Sequence, residues 1–158
     1  MQIEIDTHDE AERGALAGMI GAVAMLGAMA LDLALTKRKT NELRMLAGLV
    51  PGGRKAWPVV GTAMHLANGG ALGALFGRLH HGLPGPAWMR GVIFGLAENV
   101  LLWPAVIVLD RVNPAVKRGD VEPFNRPVPF LQEIFRHAVY GAALGVAYQL
   151  LTPRKRSE

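Results

Sequence analysis

Long apolar runs alternate with short polar ones along this chain, and no period-2 pattern of strands appears. Four runs stand out: residues 14–36, 56–77, 91–109 and 137–152. Together they hold only two formal charges, Asp32 and Glu98, although they make up about half of the chain. A soluble amphipathic helix carries a charged face throughout, so these runs do not read as a water-soluble bundle. They read as membrane spans joined by charged loops. A span needs about 20 residues at about 1.5 Å rise to cross the hydrocarbon, and each of the first three is close to that length.

The predicted fold is therefore all-α, an integral membrane four-helix bundle in a single transmembrane domain, residues 1–158. Its spans are placed at about 14–36, 56–77, 91–109 and 130–152. Residues 1–12 form a polar acidic tail and residues 153–158 a basic one. Residues 40–50 are compatible with a short interfacial helix that Pro51-Gly52-Gly53 breaks. Residues 78–90 form a Gly- and Pro-rich turn, and 110–128 the longest loop. The fourth span begins with Gln132, Glu133 and Arg136, and the last two are spaced to pair on one helix face. Trp103-Pro104 predicts a kink in the third span. Trp57 and Trp88 suit an interfacial aromatic belt.

Two segments repeat. His65 to Phe76 aligns without gaps to His137 to Tyr148, sharing the His, two glycines, an Ala and a Leu. Arg13-Gly14 with Gly18 likewise mirrors Arg90-Gly91 with Gly95. The unit is a helical hairpin used twice, giving two pseudo-symmetric hairpins. These paired His-x3-Gly-x3-Gly-x2-aromatic helices resemble the small uncharacterised four-helix inner-membrane proteins of bacteria. That resemblance implies a bacterial inner-membrane location and no particular activity.

Charge refines this picture. The 17 Lys and Arg against 13 Asp and Glu give a net charge of +4. The basic residues cluster at the ends of apolar runs, where they act as topology signals, so nucleic acid is not an expected partner. Loops 37–55 and 110–128 hold ten Lys and Arg, which favours a cytoplasmic position for both. The acidic N-terminus does not resemble a cleavable signal, although Ala28-Met29-Ala30 looks like a cleavage site. With no Cys, the chain has no disulfide, thiol-redox or Cys-ligated metal chemistry. No metal site is expected: His80 and His81 are adjacent, which is not the i, i+4 spacing of a helical metal site.

The candidate chemistry is intramembrane. Glu98, followed by Asn99, lies seven residues inside the third span, where a carboxylate must be neutral, paired or facing water. His65 and His137 head the two repeated segments at matching depth. With Asn68 and Tyr140 these residues define a predicted polar core site: Glu98, Asn99, His65, His137, Asn68 and Tyr140. It suits proton or small-solute transport. A first alternative is a bis-His haem b electron carrier using His65 and His137 as axial ligands. A second is a structural subunit of a membrane complex, each His bonding a neighbouring backbone, Asn68 or Tyr140. No cofactor is required by the first reading. Gly14 and Gly18, Gly69 and Gly73, and Gly141 and Gly145 are spaced one turn apart, as close helix packing requires within the chain or in a homo-oligomer. Asp32 is expected to pair with a Lys or Arg of the adjacent loop. No nucleophile–base pairing is visible, so enzymatic activity is not expected.

Overall fold

The computed structural model describes residues 7–153, which are helical with no strand among them. The elements are α1 (Thr7–Thr36), α2 (Glu42–Ala47), α3 (Trp57–Leu79), a 3-10 turn (His80–Gly82), α4 (Ala87–Val112), α5 (Pro114–Lys117) and α6 (Pro127–Leu151). Three helices, α1, α3 with its 3-10 turn, and α4, are long and apolar enough to cross a membrane. At about 1.5 Å per residue the shortest of the three spans more than the ~30 Å of a bilayer's hydrocarbon.

Three sequence expectations change here. The described residues hold six α-helices where four spans were expected: α2 falls where a short interfacial helix was compatible with the sequence, and α5 lies in the segment that read as the longest loop. The fourth span is not among the three apolar helices: α6 carries Gln132, Glu133 and Arg136 inside its length. The acidic tail is also shorter than read. Residues 7–12 already belong to α1, whose first turn holds Asp9 and Glu10, carboxylates that favour a helix N-terminus. Residues 1–6 and 154–158, most of the basic tail, lie outside the described residues.

Small residues decide which helices touch. A Cβ at Gly18 would overlap the carbonyl oxygen of Gly69, and one at Gly14 that of Gly73. Gly91 and Gly141 meet in the same way on α4 and α6, and Gly145 packs against the backbone of Ala87. In contact terms Gly18 therefore stands where Gly91 does, one helical turn away from the sequence alignment that matched Gly14 with Gly91. The pairs α1–α3 and α4–α6 are joined along α1 and α6. No comparable contact joins α3 to α4, so the hairpins do not have equivalent neighbours.

The bundle buries charged side chains within its apolar core while exposing large apolar ones. Leu35, Val59, Leu101 and Leu150 are each at least 74% exposed, while Arg136 and Leu144 are fully buried. On α6 the alternation is sharp: Leu131 and Phe135 face outward, Gln132, Glu133 and Arg136 inward. A folded chain in water buries charged groups last, so exposed Leu and Val around these buried charges are compatible with an apolar surrounding.

The loops after α1 and α4 form one cap. Arg38 pairs with Glu122 at 2.7 Å, and the Glu122 carboxylate also accepts from the Lys39 backbone at 2.8 Å. Asn113, fully buried, donates to the Met45 carbonyl and accepts from the Ala115 N–H, capping α5. Asp110 accepts from the backbone N–H groups of Phe124 and Asn125. Val121, Phe124, Met45 and Ala115 bury a small apolar core beneath this cap.

Candidate functional site

Below the cap, α6 turns one polar side into the bundle. Residues 132, 133, 136, 137 and 140 follow a three- and four-residue rhythm and so share a face. Arg136 is the anchor of this face. Its guanidinium contacts Asp32 of α1, Glu133 at 2.6 Å and the Thr40 carbonyl at 2.9 Å. Gln132 donates to both oxygens of Asp32, at 2.7 and 2.8 Å. Asp32 therefore finds its cation on α6 and not in the adjacent loop, because the loop's Arg38 is taken by Glu122. An arginine suits the role: it stays charged at any accessible pH, and its fork of donors can satisfy two carboxylates and a carbonyl together.

One turn deeper lie two histidine–carboxylate pairs of common design. His137 Nδ1 is 2.8 Å from the backbone carbonyl of Glu133, and its Nε2 is 3.2 Å from Glu98 Oε2 on α4. His65 Nε2 is 3.1 Å from the Ala22 carbonyl, and its Nδ1 is 3.1 Å from Glu42 Oε1 on α2. A carbonyl only accepts, so in each ring the nitrogen facing the carbonyl carries a proton. The other nitrogen faces a carboxyl group, and one proton must lie on that axis. Each pair is either imidazolium with carboxylate or imidazole with carboxylic acid. Glu42 lies outside the apolar helices. Burial pushes its pKa up, but the hydrogen bond and charge of His65, with those of His137 and Arg136, outweigh this and hold it below the ordinary value.

The two pairs face a common cavity of about 20 Å³, lined by Glu42, His65, Asn68, Glu98, His137 and Tyr140. That volume is room for about one water molecule. Glu42, Asn68, Glu98 and His137 also line a second space of about 190 Å³, where α3 and α4 stand apart. Asn99 and Glu133 line that space as well.

Five of the six residues named from sequence, His65, Asn68, Glu98, His137 and Tyr140, thus meet at one cavity. Asn99 lies beside it in the larger space. Tyr140 serves packing, donating to the Gly69 carbonyl at 3.1 Å, and neither it nor Asn68 holds a His as anticipated. Sequence reasoning missed Glu42 and the inward role of Glu133, Arg136 and Asp32. The spacing of 132, 133, 136, 137 and 140 carried the signal for α6. Nothing local signals Glu42, which reaches His65 only because α2 folds back on α3. His81 is exposed and pairs with Glu10 at 2.9 Å, and half-buried His80 stacks on Tyr148. Among the described residues no three His, Asp or Glu side chains are grouped to hold a metal ion.

The comparison that identifies the chain is a family match over residues 8–158, nearly its whole length. The chain belongs to the family of unknown function DUF6789. No curated protein and no solved structure matches it. Family membership therefore attaches no activity to the Glu–His core, and function has to be argued from the geometry.

Proposed function

We propose that this is an integral membrane protein, with α6 as its fourth membrane helix, whose Glu–His core accepts and passes on protons. Three long apolar helices and a sheath of exposed Leu and Val around buried charges support the membrane half of this reading. The ten Lys and Arg in loops 37–55 and 110–128 support a cytoplasmic side for the shared cap.

The observation that carries the proton half is the pair of shared-proton axes, His137–Glu98 and His65–Glu42, facing one water-sized cavity. Imidazole and carboxyl groups exchange protons readily, and the cavity places donor and acceptor pairs within reach of a single water. Arg136 is the structural anchor beside these pairs: it fixes Asp32 and Glu133. Favouring this over a haem between the two histidines, all four ring nitrogens already have partners, and the space between them is far smaller than a porphyrin.

The test is proton entry into liposomes holding a trapped pH dye, driven by a potassium diffusion potential. Protein-containing vesicles should acidify at least about tenfold faster than empty ones. Glu98→Gln, which keeps a hydrogen-bonding partner for His137 but removes its proton exchange, should abolish the difference. Equal rates in loaded and empty vesicles, or an unchanged rate in Glu98→Gln, would overturn the reading.

A further inference from the structure

The space between α2, α4 and α6 has more than one water's volume, and its two ends differ in chemistry. Its wall is apolar, built from Met45, Leu46, Leu102, Val106, Leu109 and Phe124. Leu102 is 48% exposed and marks the mouth on the outer surface of α4. Its inner end is polar and unfinished. Asn99 is only 4% exposed, yet its Nδ2 has no acceptor. Glu42 spends Oε1 on His65, while its buried Oε2 has no donor. Buried polar atoms are almost always partnered, so an orphan donor and an orphan acceptor lining one space call for a ligand that supplies both.

We propose that this groove binds a neutral single-ring amphiphile with a hydroxyl at its polar end, a phenol or quinol. A hydroxyl both donates and accepts, so a single group answers Glu42 and Asn99. The volume, about 190 Å³, suits one ring, since an apolar cavity of about 150 Å³ takes up benzene. A lipophilic cation offers no lone pair to Asn99, and a plain hydrocarbon satisfies neither residue. Trp103, also in the wall, adds an aromatic surface for a ring to pack on. α3 and α4 meet at Phe76 and Phe94 and have no glycine-lined seam like those of α1–α3 and α4–α6, so an apolar molecule has room farther along α4. The hydroxyl would sit beside the Glu98–His137 pair, so the inference deepens the proton reading and names what that pair meets.

Isothermal titration of the detergent-purified full chain with 4-hexylphenol tests it. The phenol should bind at least about tenfold more tightly than its methyl ether or hexylbenzene, and tetraphenylphosphonium should not displace it. Asn99→Leu should weaken phenol and methyl ether alike, because both oxygens can accept from its amide, and should leave the phenol's preference over the ether, which rests on donation to Glu42. Leu102→Trp, which fills the mouth without touching the polar end, should block binding in a protein of unchanged helicity. A short-tailed quinol binding tenfold more tightly than the phenol assigns a membrane quinol; equal affinity assigns phenols in general. Equal affinity for phenol and hexylbenzene, displacement by the cation, or no binding at all would overturn the proposal. Binding is read without a proton gradient, so a failure here and a failure of proton entry are separate results.

Discussion

His137 on α6 holds its Nε2 3.2 Å from Glu98 on α4, and its other nitrogen is fixed to the Glu133 carbonyl one turn before it. The ring is thus pinned at one side and exchangeable at the other. Glu98→Gln preserves a hydrogen bond, because its amide can donate to a neutral imidazole. Glu98→Leu leaves the ring nitrogen buried and unpartnered. The expected order of stability, read by thermal unfolding in detergent, is wild type close to Glu98→Gln and both above Glu98→Leu by about 1–3 kcal/mol.

Arg136 carries a heavier structural role. It is fully buried and is the cation shared by Asp32 and Glu133. Arg136→Leu strands two carboxylates and should cost at least about 3–5 kcal/mol, the usual loss when one partner of a buried ion pair is removed. Arg38→Ala breaks the half-exposed pair with Glu122 and should cost at most about 1 kcal/mol. Denaturant titration of the two variants in the same detergent measures the contrast.

Glycines of similar sequence context should behave oppositely. Gly18→Ala places a methyl group on the Gly69 carbonyl and forces α1 from α3, with loss of folded yield. At Gly27 of α1 an added methyl meets nothing within 4 Å, so Gly27→Ala should be neutral or slightly stabilising. Thermal melts of the two variants separate packing from helix propensity.

The docking of α2 should depend on acid. The pKa of Glu42 is held below its ordinary value of 4.5, so its pairing with His65 contributes stability above about pH 4.5. That contribution is lost as the pH falls through the lower folded value. The protection factors of the α2 amides, with the intrinsic pH dependence of exchange divided out, should therefore hold above the ordinary carboxyl range and fall as the pH drops below it. Glu42→Gln should remove this acid limb. A wild-type protection profile of the same shape as that of Glu42→Gln would contradict it.

The sequence by itself determined the long helical segments. Runs without charge, such as 56–77, have no charged face to offer water, and they became helices long and apolar enough to cross a membrane. It also marked His65, Glu98 and His137 as costly residues, because a lone polar group in an apolar run is visible without coordinates. The shared face of α6 was present in its spacing, although the sequence reading drew from it only the pairing of Glu133 with Arg136. Tertiary structure alone decided the partners. Asp32 and Arg136 are 104 residues apart, and Glu42 meets His65 only through the fold of α2 onto α3. Which glycine faces which was also a tertiary matter, and it moved the hairpin correspondence by one turn. The groove between α2, α4 and α6 has no sequence signature, since its walls come from segments far apart in the chain. Local periodicity fixes which face of a helix is polar; only the assembled helices fix what that face meets.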